Sequence, residues 1–345
     1  MKIRIVTFAA LAVALMAAVG CGGASDTKGG EASASSGSGS KSTVSLVAYS
    51  TPQVVYDEII PAFNRTSEGE GVGFKSSYGA SGDQSRAVEG GLKADYVSFS
   101  TEPDMTRLVD AGLVDPSWNQ NATQGQIATS VVSFVVRKGN PKHIKTWEDL
   151  LKPGVEVLTP NPFTSGAAKW NLLGAYAAKS QGGKDPQAGL DFVRELLTKH
   201  VKVQDKSGRE ALQNFTSGTG DVLLSYEYEA ITAQKKGEKD VELVIPDDTI
   251  KIETLAAVTK DATPAAKAFL DYALSKDGQE KFAGWGYRPV DQAVFDKNKA
   301  KFPTPKGLFT IRDLGGWSKV NDQLFDVDKG AIAKIEEDAG VSTAK

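Results

Sequence analysis

The chain has 345 residues, 40% of them hydrophobic and 24% charged, with five tryptophans, which is ample for the core of one or two globular domains. Its net charge of −3, with both signs interspersed, leaves no basic footprint for nucleic acid. One cysteine and two histidines, His143 and His200, argue against a zinc site or a Cys/His nucleophile, and both histidines are expected on the surface.

Residues 1–20 read as a secretory leader: Lys2 and Arg4 precede an apolar run, Ile5 to Val19, too short for a membrane span. The run ends Ala18-Val19-Gly20-Cys21, which resembles the lipobox of bacterial lipoproteins. That resemblance makes Cys21 the lipid anchor, and a sole cysteine has no internal disulfide partner. Residues 21–43, rich in Gly, Ser, Ala and Lys, read as a flexible tether. A protein facing outward from the membrane surface, held only by lipid, is the expectation.

From Val44 strands and helices alternate, the pattern of an α/β protein. Val44–Tyr49 is predicted as a strand, followed by a helix start at Ser50-Thr51-Pro52-Gln53 with a hydroxyl cap, Pro at the first position and Gln in the capping-box place. Its buried face is predicted as Val55, Ile59 and Phe63, with a kink at Pro61. A strand near 72–77 leads into Tyr78-Gly79-Ala80-Ser81-Gly82-Asp83-Gln84, a second small-residue helix start. The strand Tyr96–Ser100 leads to a helix ending near Ala111, and the long run Ile127–Val136 is positioned to cross between domains.

The second segment repeats the scheme. After the strand Val155–Leu158, Thr159-Pro160-Asn161-Pro162-Phe163-Thr164-Ser165-Gly166-Ala167 opens a helix running to Lys179, and Pro186–Lys199 is another. The strand Val201–Gln204 precedes a capping box at Ser207-Gly208-Arg209-Glu210, and Asp221–Tyr226 precedes the helix start Glu227-Tyr228-Glu229. Glu227 and Glu229 suit solvated or interdomain ion-pair roles better than acid/base work. Ile250–Val258 is placed to return the chain to the first domain, and Pro264 opens a helix through Leu274.

Four strand-to-helix turns therefore carry Ser, Thr, Gly or Ala: 50–53, 80–84, 164–168 and 207–210. A helix start leaves backbone N–H groups unpaired and carries partial positive charge, so it can cradle an anion. Any one of these turns is equally an ordinary capped helix. Open α/β sheets bind ligands beyond the carboxyl ends of their strands, where all four lie. Two domains presenting two such turns each to a shared cleft would hold a small anion by N–H and hydroxyl donors.

Arg137-Lys138-Gly139-Asn140-Pro141-Lys142, Trp147-Glu148-Asp149-Leu150, Lys152-Pro153-Gly154-Val155, Thr159-Pro160-Asn161-Pro162, Thr164-Ser165-Gly166 and Gly220-Asp221-Val222-Leu223, in this order and with Tyr287-Arg288-Pro289, resemble the sulfate-binding proteins of bacterial ABC importers. The similarity runs over roughly residues 45–290. It implies a two-domain periplasmic-binding-protein fold of type II with a ligand cleft between lobes 44–127 plus 248–345 and 128–247, joined by hinge strands. It also implies a monomeric receptor that closes on dehydrated sulfate without cofactor, metal or catalysis, and delivers it to a membrane permease and its ATPase.

Carried over position by position, the resemblance assigns a backbone N–H donor at Thr51, hydroxyl donors at Ser81 and Ser165, N–H donors at Gly166, Ala167 and Gly208, and a side-chain donor at Tyr226 where better-known members have tryptophan. A phenol both donates and accepts, so Tyr226 leaves thiosulfate or another tetrahedral oxyanion such as molybdate as alternatives. An extracytoplasmic sulfate- or phosphate-ester hydrolase is the alternative of another class. Sulfate has no proton to donate near neutral pH, and the matched donor positions contain no carboxylate. Asp83 is expected to face solvent, and Arg209 is read either as a surface arginine or as a charge behind the donors.

Overall fold

The computed structural model describes residues 42–343; the leader, Cys21 and most of the tether lie outside the described residues. Strands β1 (Ser42–Tyr49), β2 (Val72–Gly79) and β3 (Tyr96–Phe99) alternate with helices α1 (Gln53–Phe63), α2 (Ser81–Glu89) and α3 (Glu102–Asp110). Next come β4 (Gln126–Arg137), β5 (Val157–Pro160), α4 (Gly166–Lys179), α5 (Pro186–Glu195), β6 (Val201–Asp205), α6 (Gly208–Thr216), β7 (Val222–Tyr226), α7 (Glu227–Lys235) and β8 (Val241–Val244). The chain returns through β9 (Asp248–Val258), α8 (Pro264–Leu274), α9 (Lys276–Gly284), α10 (Gln292–Asn298), β10 (Gly307–Phe309), α11 (Gly316–Val320) and α12 (Ala331–Asp338).

The strands run in the order β2-β1-β3-β9-β4-β7-β5-β6. Parallel pairs β1–β2, β1–β3, β5–β6 and β5–β7 carry the helical crossovers, whereas β9 joins β3 and β4 antiparallel. The central element is β4. Gln126 to Val131 pairs with β9, and from Val132 the same strand pairs with β7 instead, Val132 lying opposite Tyr226. One continuous strand thus belongs to two halves of the molecule. Its burial along almost its whole length explains the near-unbroken apolar and small-residue run. The two halves form the two lobes of a type II periplasmic-binding-protein fold.

Helix α1 buries Val55, Tyr56, Ile59, Ala62 and Phe63, the expected face with Tyr56 and Ala62 added. Tyr56 meets Tyr96 edge-on and their hydroxyls bond at 2.9 Å. The predicted helix to Lys199 stops at Glu195, and residues 196–200 form a wider π-type turn that buries His200, so only His143 of the two histidines is exposed. The C-terminal segment packs on both halves. Arg312 reaches Gln124 at 2.6 Å, Trp317 meets Trp170 of α4 edge-on with centroids 4.8 Å apart, and α12 lies against α5. No helix among the described residues is long and apolar enough to cross a membrane.

Candidate functional site

The site is the meeting place of helix starts at the midline of the sheet. Strands β1, β2 and β3 end at Tyr49, Gly79 and Phe99; β5, β6 and β7 end at Pro160, Asp205 and Tyr226; each is followed by a helix. Thr51, ahead of α1, Ala167 in α4 and Gly208 at the start of α6 lie together: a β-carbon on Gly208 would stand 3.6 Å from that of Ala167 and 3.7 Å from Thr51 Cγ2. In the same way, a β-carbon on Gly82 would stand 3.1 Å from the Thr164 carbonyl oxygen. Gly166 lies so close to Ser100 and Thr101 that a β-carbon there would overlap the Ser100 hydroxyl and stand 2.9 Å from Thr101 Cγ2. The four predicted turns therefore do converge, two from each half.

The reason for the small residues is now visible. Ala80-Ser81-Gly82 and Ser165-Gly166-Ala167 allow two helix starts to approach within contact distance, and larger side chains would hold the halves apart. At α4 the Asn161 side chain accepts the Phe163 N–H at 2.7 Å and its carbonyl accepts the Ser165 N–H at 2.9 Å. That Asx turn aims the helix start at the other half. Thr164 Oγ1 donates to the Lys206 carbonyl at 2.8 Å, tying this turn to the next one.

Capping separates these helices into two kinds. Ser207 caps α6, accepting the Glu210 N–H at 3.2 Å, as the sequence predicts. By contrast α1, α2, α3 and α4 have no side-chain cap bond, with Pro52, Ala80, Thr101 and Ser165 at the cap position. The predicted cap at 50–53 is not formed: the Thr51 hydroxyl bonds Tyr228 Oη at 2.7 Å, and Gln53 Oε1 accepts from Arg209 at 2.8 Å. First-turn N–H groups have no partner within their own helix. Uncapped starts converging in a buried place supply positive potential and donors to whatever sits there.

Side chains close the place. Ser81 Oγ donates to Asp104 Oδ2 at 2.7 Å and accepts the Ser100 N–H at 3.1 Å, so a ligand would take the Ser81 hydrogen only in competition with Asp104. Ser165 is buried at the cap of α4. Tyr226 is buried, and its hydroxyl is without a hydrogen-bond partner, as is that of Ser100. Burial drives the Tyr226 phenol well above its ordinary pKa, so it is a neutral donor and acceptor throughout the physiological range. Trp170 walls the site from below, donating Nε1–H to the Ser100 carbonyl at 2.6 Å.

Further contacts span the halves outside this place. Arg209 donates to the Ser50 carbonyl and to Gln53 Oε1, so it bridges the halves and does not stand free in solvent. Lys206 pairs with Asp83 at 2.7 Å, and Asp83 also meets Arg86 at 2.5 Å. Asp83 is thus an ion-pair partner at the rim, not the solvated acid expected. Glu227 forms a buried pair with Arg288 at 2.6 and 3.0 Å, the interdomain ion pair anticipated for it.

Glu229 is not the solvated or interdomain ion-pair residue expected, and Asp104 stands with it. The sequence reading found no acid among the matched donors, yet both carboxyls reach the edge of the site. Asp104 accepts from Ser81 and from the Thr101 hydroxyl at 2.9 Å, and pairs with Arg107 at 3.5 Å. Glu229 is fully buried, accepts from the Ser225 hydroxyl through Oε2, and leaves Oε1 unpartnered beside Gly208. Burial pushes its carboxyl up to about 7, against the pull of Ser225 and Arg209, so a large share stays uncharged near neutral pH.

Sequence reasoning missed the turn Ser100-Thr101 before α3. Ser100 was read as the last strand residue, although Ser-Thr ahead of Glu102-Pro103 is itself a helix-start signature. Among the described residues no group of three or more His, Cys, Asp or Glu is arranged to hold a metal ion.

A family model described as bacterial extracellular solute-binding protein matches residues 44–288. The chain is 40% identical over 341 residues to a sulfate-binding protein of Synechococcus elongatus, covering 95% of each chain. It is 37% identical to the sulfate-binding protein of Escherichia coli, covering 81% of this chain and 88% of that one, and 34% identical to the thiosulfate-binding protein of the same organism, covering 81% and 86%. The solved structure of the sulfate-binding protein SubI from Mycobacterium tuberculosis superposes with a TM-score of 0.81 at 52% identity, covering 83% of this chain and all of that one. A periplasmic thiamin-binding protein shares the fold at 17% identity, with a TM-score of 0.63 and coverage of 79% and 92%. The chain belongs to the bacterial extracellular solute-binding proteins and, within them, to the sulfate- and thiosulfate-binding family.

Proposed function

We propose that this protein is the extracytoplasmic receptor of a sulfate ABC importer. The observation that carries the reading is the convergence of uncapped helix starts from both halves on a buried place lined by unpartnered hydroxyls. A desolvated dianion placed there receives N–H donors from the starts of α2, α4 and α6 and the backbone at Thr51, with hydroxyl donors from Ser81, Ser165 and Tyr226. In our assignment Gly166, Ala167 and Gly208 give backbone N–H groups only, their small size being what lets the halves meet. Arg209 and the helix dipoles supply compensating charge without touching the anion, and their effect is strong because water is excluded. No bond is made or broken.

Function then follows from closure. With sulfate absent, the halves have little reason to bring desolvated N–H groups together; with sulfate present, each half completes the other's coordination. The closed shape is what a permease reads. We assign the lobes to 44–127 plus 248–345 and 128–247, with β4 and β9 as the hinge. Cys21 is proposed as the lipid anchor that keeps a monomeric receptor beside the permease and its ATPase. Thiosulfate is the second ligand to test, because relatives bearing either name are similar to this chain.

Calorimetric titration of the protein without its leader and Cys21, using sulfate, thiosulfate, molybdate and phosphate at pH 5 and pH 8, tests the reading. Sulfate should bind at least a hundredfold more tightly than phosphate at both pH values. Phosphate offers a hydrogen that an ionised Glu229 can accept, so phosphate binding as tight as sulfate at pH 8 would overturn the assignment. Turnover of a chromogenic sulfate or phosphate ester would instead favour a hydrolase.

A further inference from the structure

The main chain of Ser100 is fully committed while its side chain is not. Its N–H donates to Ser81 Oγ at 3.1 Å and its carbonyl accepts from Trp170 Nε1 at 2.6 Å. The residue is only 1% exposed, yet its hydroxyl has no hydrogen-bond partner. That hydroxyl lies against the α-carbon of Gly166, at the uncapped start of α4, and just ahead of the uncapped start of α3.

A buried hydroxyl left unpaired is costly and uncommon in a folded protein. It has one hydrogen to give and room to accept another. A single acceptor placed among the helix starts satisfies it, with Ser100 Oγ–H donating to that acceptor.

We infer that Ser100 is a ligand-contacting donor of this site, its hydroxyl hydrogen given to the anion beside the uncapped start of α4. This rests on the oxyanion reading above and adds a donor that the family resemblance does not supply. Gly166 is required for it, since any side chain there would occupy the space of the Ser100 hydroxyl.

The test is calorimetric titration of Ser100 variants with sulfate, alongside the melting temperature of the ligand-free protein. Ser100→Ala should weaken sulfate binding about tenfold. Ser100→Cys, which keeps the volume but offers only a weak S–H donor, should behave like Ser100→Ala and guards against a folding defect. Ligand-free melting should be unchanged or slightly raised, since an unpaired hydroxyl has been removed. Parent-like affinity in both Ser100 variants would overturn the inference while leaving sulfate binding intact. Failure of the parent to bind sulfate would instead sink the functional reading and this inference with it.

Discussion

Replacing Gly166 with alanine separates the geometry of closure from the chemistry of the donors. The N–H of residue 166 survives, so no hydrogen bond to a ligand is deleted. The added methyl would overlap the Ser100 hydroxyl and stand 2.9 Å from Thr101 Cγ2, both in the opposite half of the molecule. To make room, the starts of α3 and α4 must separate. Overpacking of this kind typically costs about 1–3 kcal/mol. That cost falls on the closed state, because in an open protein the two helix starts no longer touch. With 1.4 kcal/mol equal to tenfold in affinity, sulfate binding should weaken about ten- to hundredfold while ligand-free melting stays near that of the parent. Calorimetry gives the first quantity and scanning fluorimetry the second. Unchanged affinity would show that the close approach of Gly166 and Ser100 is not part of the bound state. A melting loss as large as the affinity loss would show that the contact serves folding instead.

Ser165→Ala should weaken sulfate binding by about 1–3 kcal/mol with little effect on ligand-free stability, because the hydroxyl caps no N–H of α4; titration and melting together check this. Glu227→Ala leaves Arg288 buried without its carboxylate and should destabilise the fold by about 3–5 kcal/mol, read as a lower urea midpoint. Glu336 of α12 is buried, accepts from Gln204 at 2.7 Å and has its carboxyl pushed up to about 7 by burial. Its folded pKa exceeds its unfolded one, so the native state holds the proton more tightly, and stability falls as pH rises from about 4.5 through about 7. Glu336→Gln should therefore melt higher than the parent at pH 8 and nearly level with it at pH 4.5.

What the sequence revealed was whatever depends on local order. Alternating strands and helices, the long run that becomes β4, and Gly-Ala-Ala at the start of α4 each reflect a backbone requirement met within a few residues. Convergence of the four turns was legible because α/β topology places every such turn on one edge. Pairings set by tertiary packing were not. Thr51 and Gln53 look like a capping pair, but Tyr228 and Arg209, far along the chain, take their polar groups. Asp83 looks like a first-turn acid in water until Lys206 approaches from the other half. His200 is polar in sequence but is carried inward by a π-type turn that periodicity does not register. Glu229 follows its strand like a first-turn acid, and only burial between Ser225 and Gly208 makes it a wall of the site whose carboxyl stays partly protonated.

The most direct measurement is a crystal structure of the protein grown with selenate, a sulfate analogue whose selenium marks its own position by anomalous scattering. The account predicts one strong anomalous peak between the starts of α2, α4 and α6, with the N–H groups of Gly166, Ala167 and Gly208 at about 2.7–3.2 Å from its oxygens and no cation in contact. A peak outside that confluence, or a metal ion bridging the anion to Asp104 or Glu229, would contradict it.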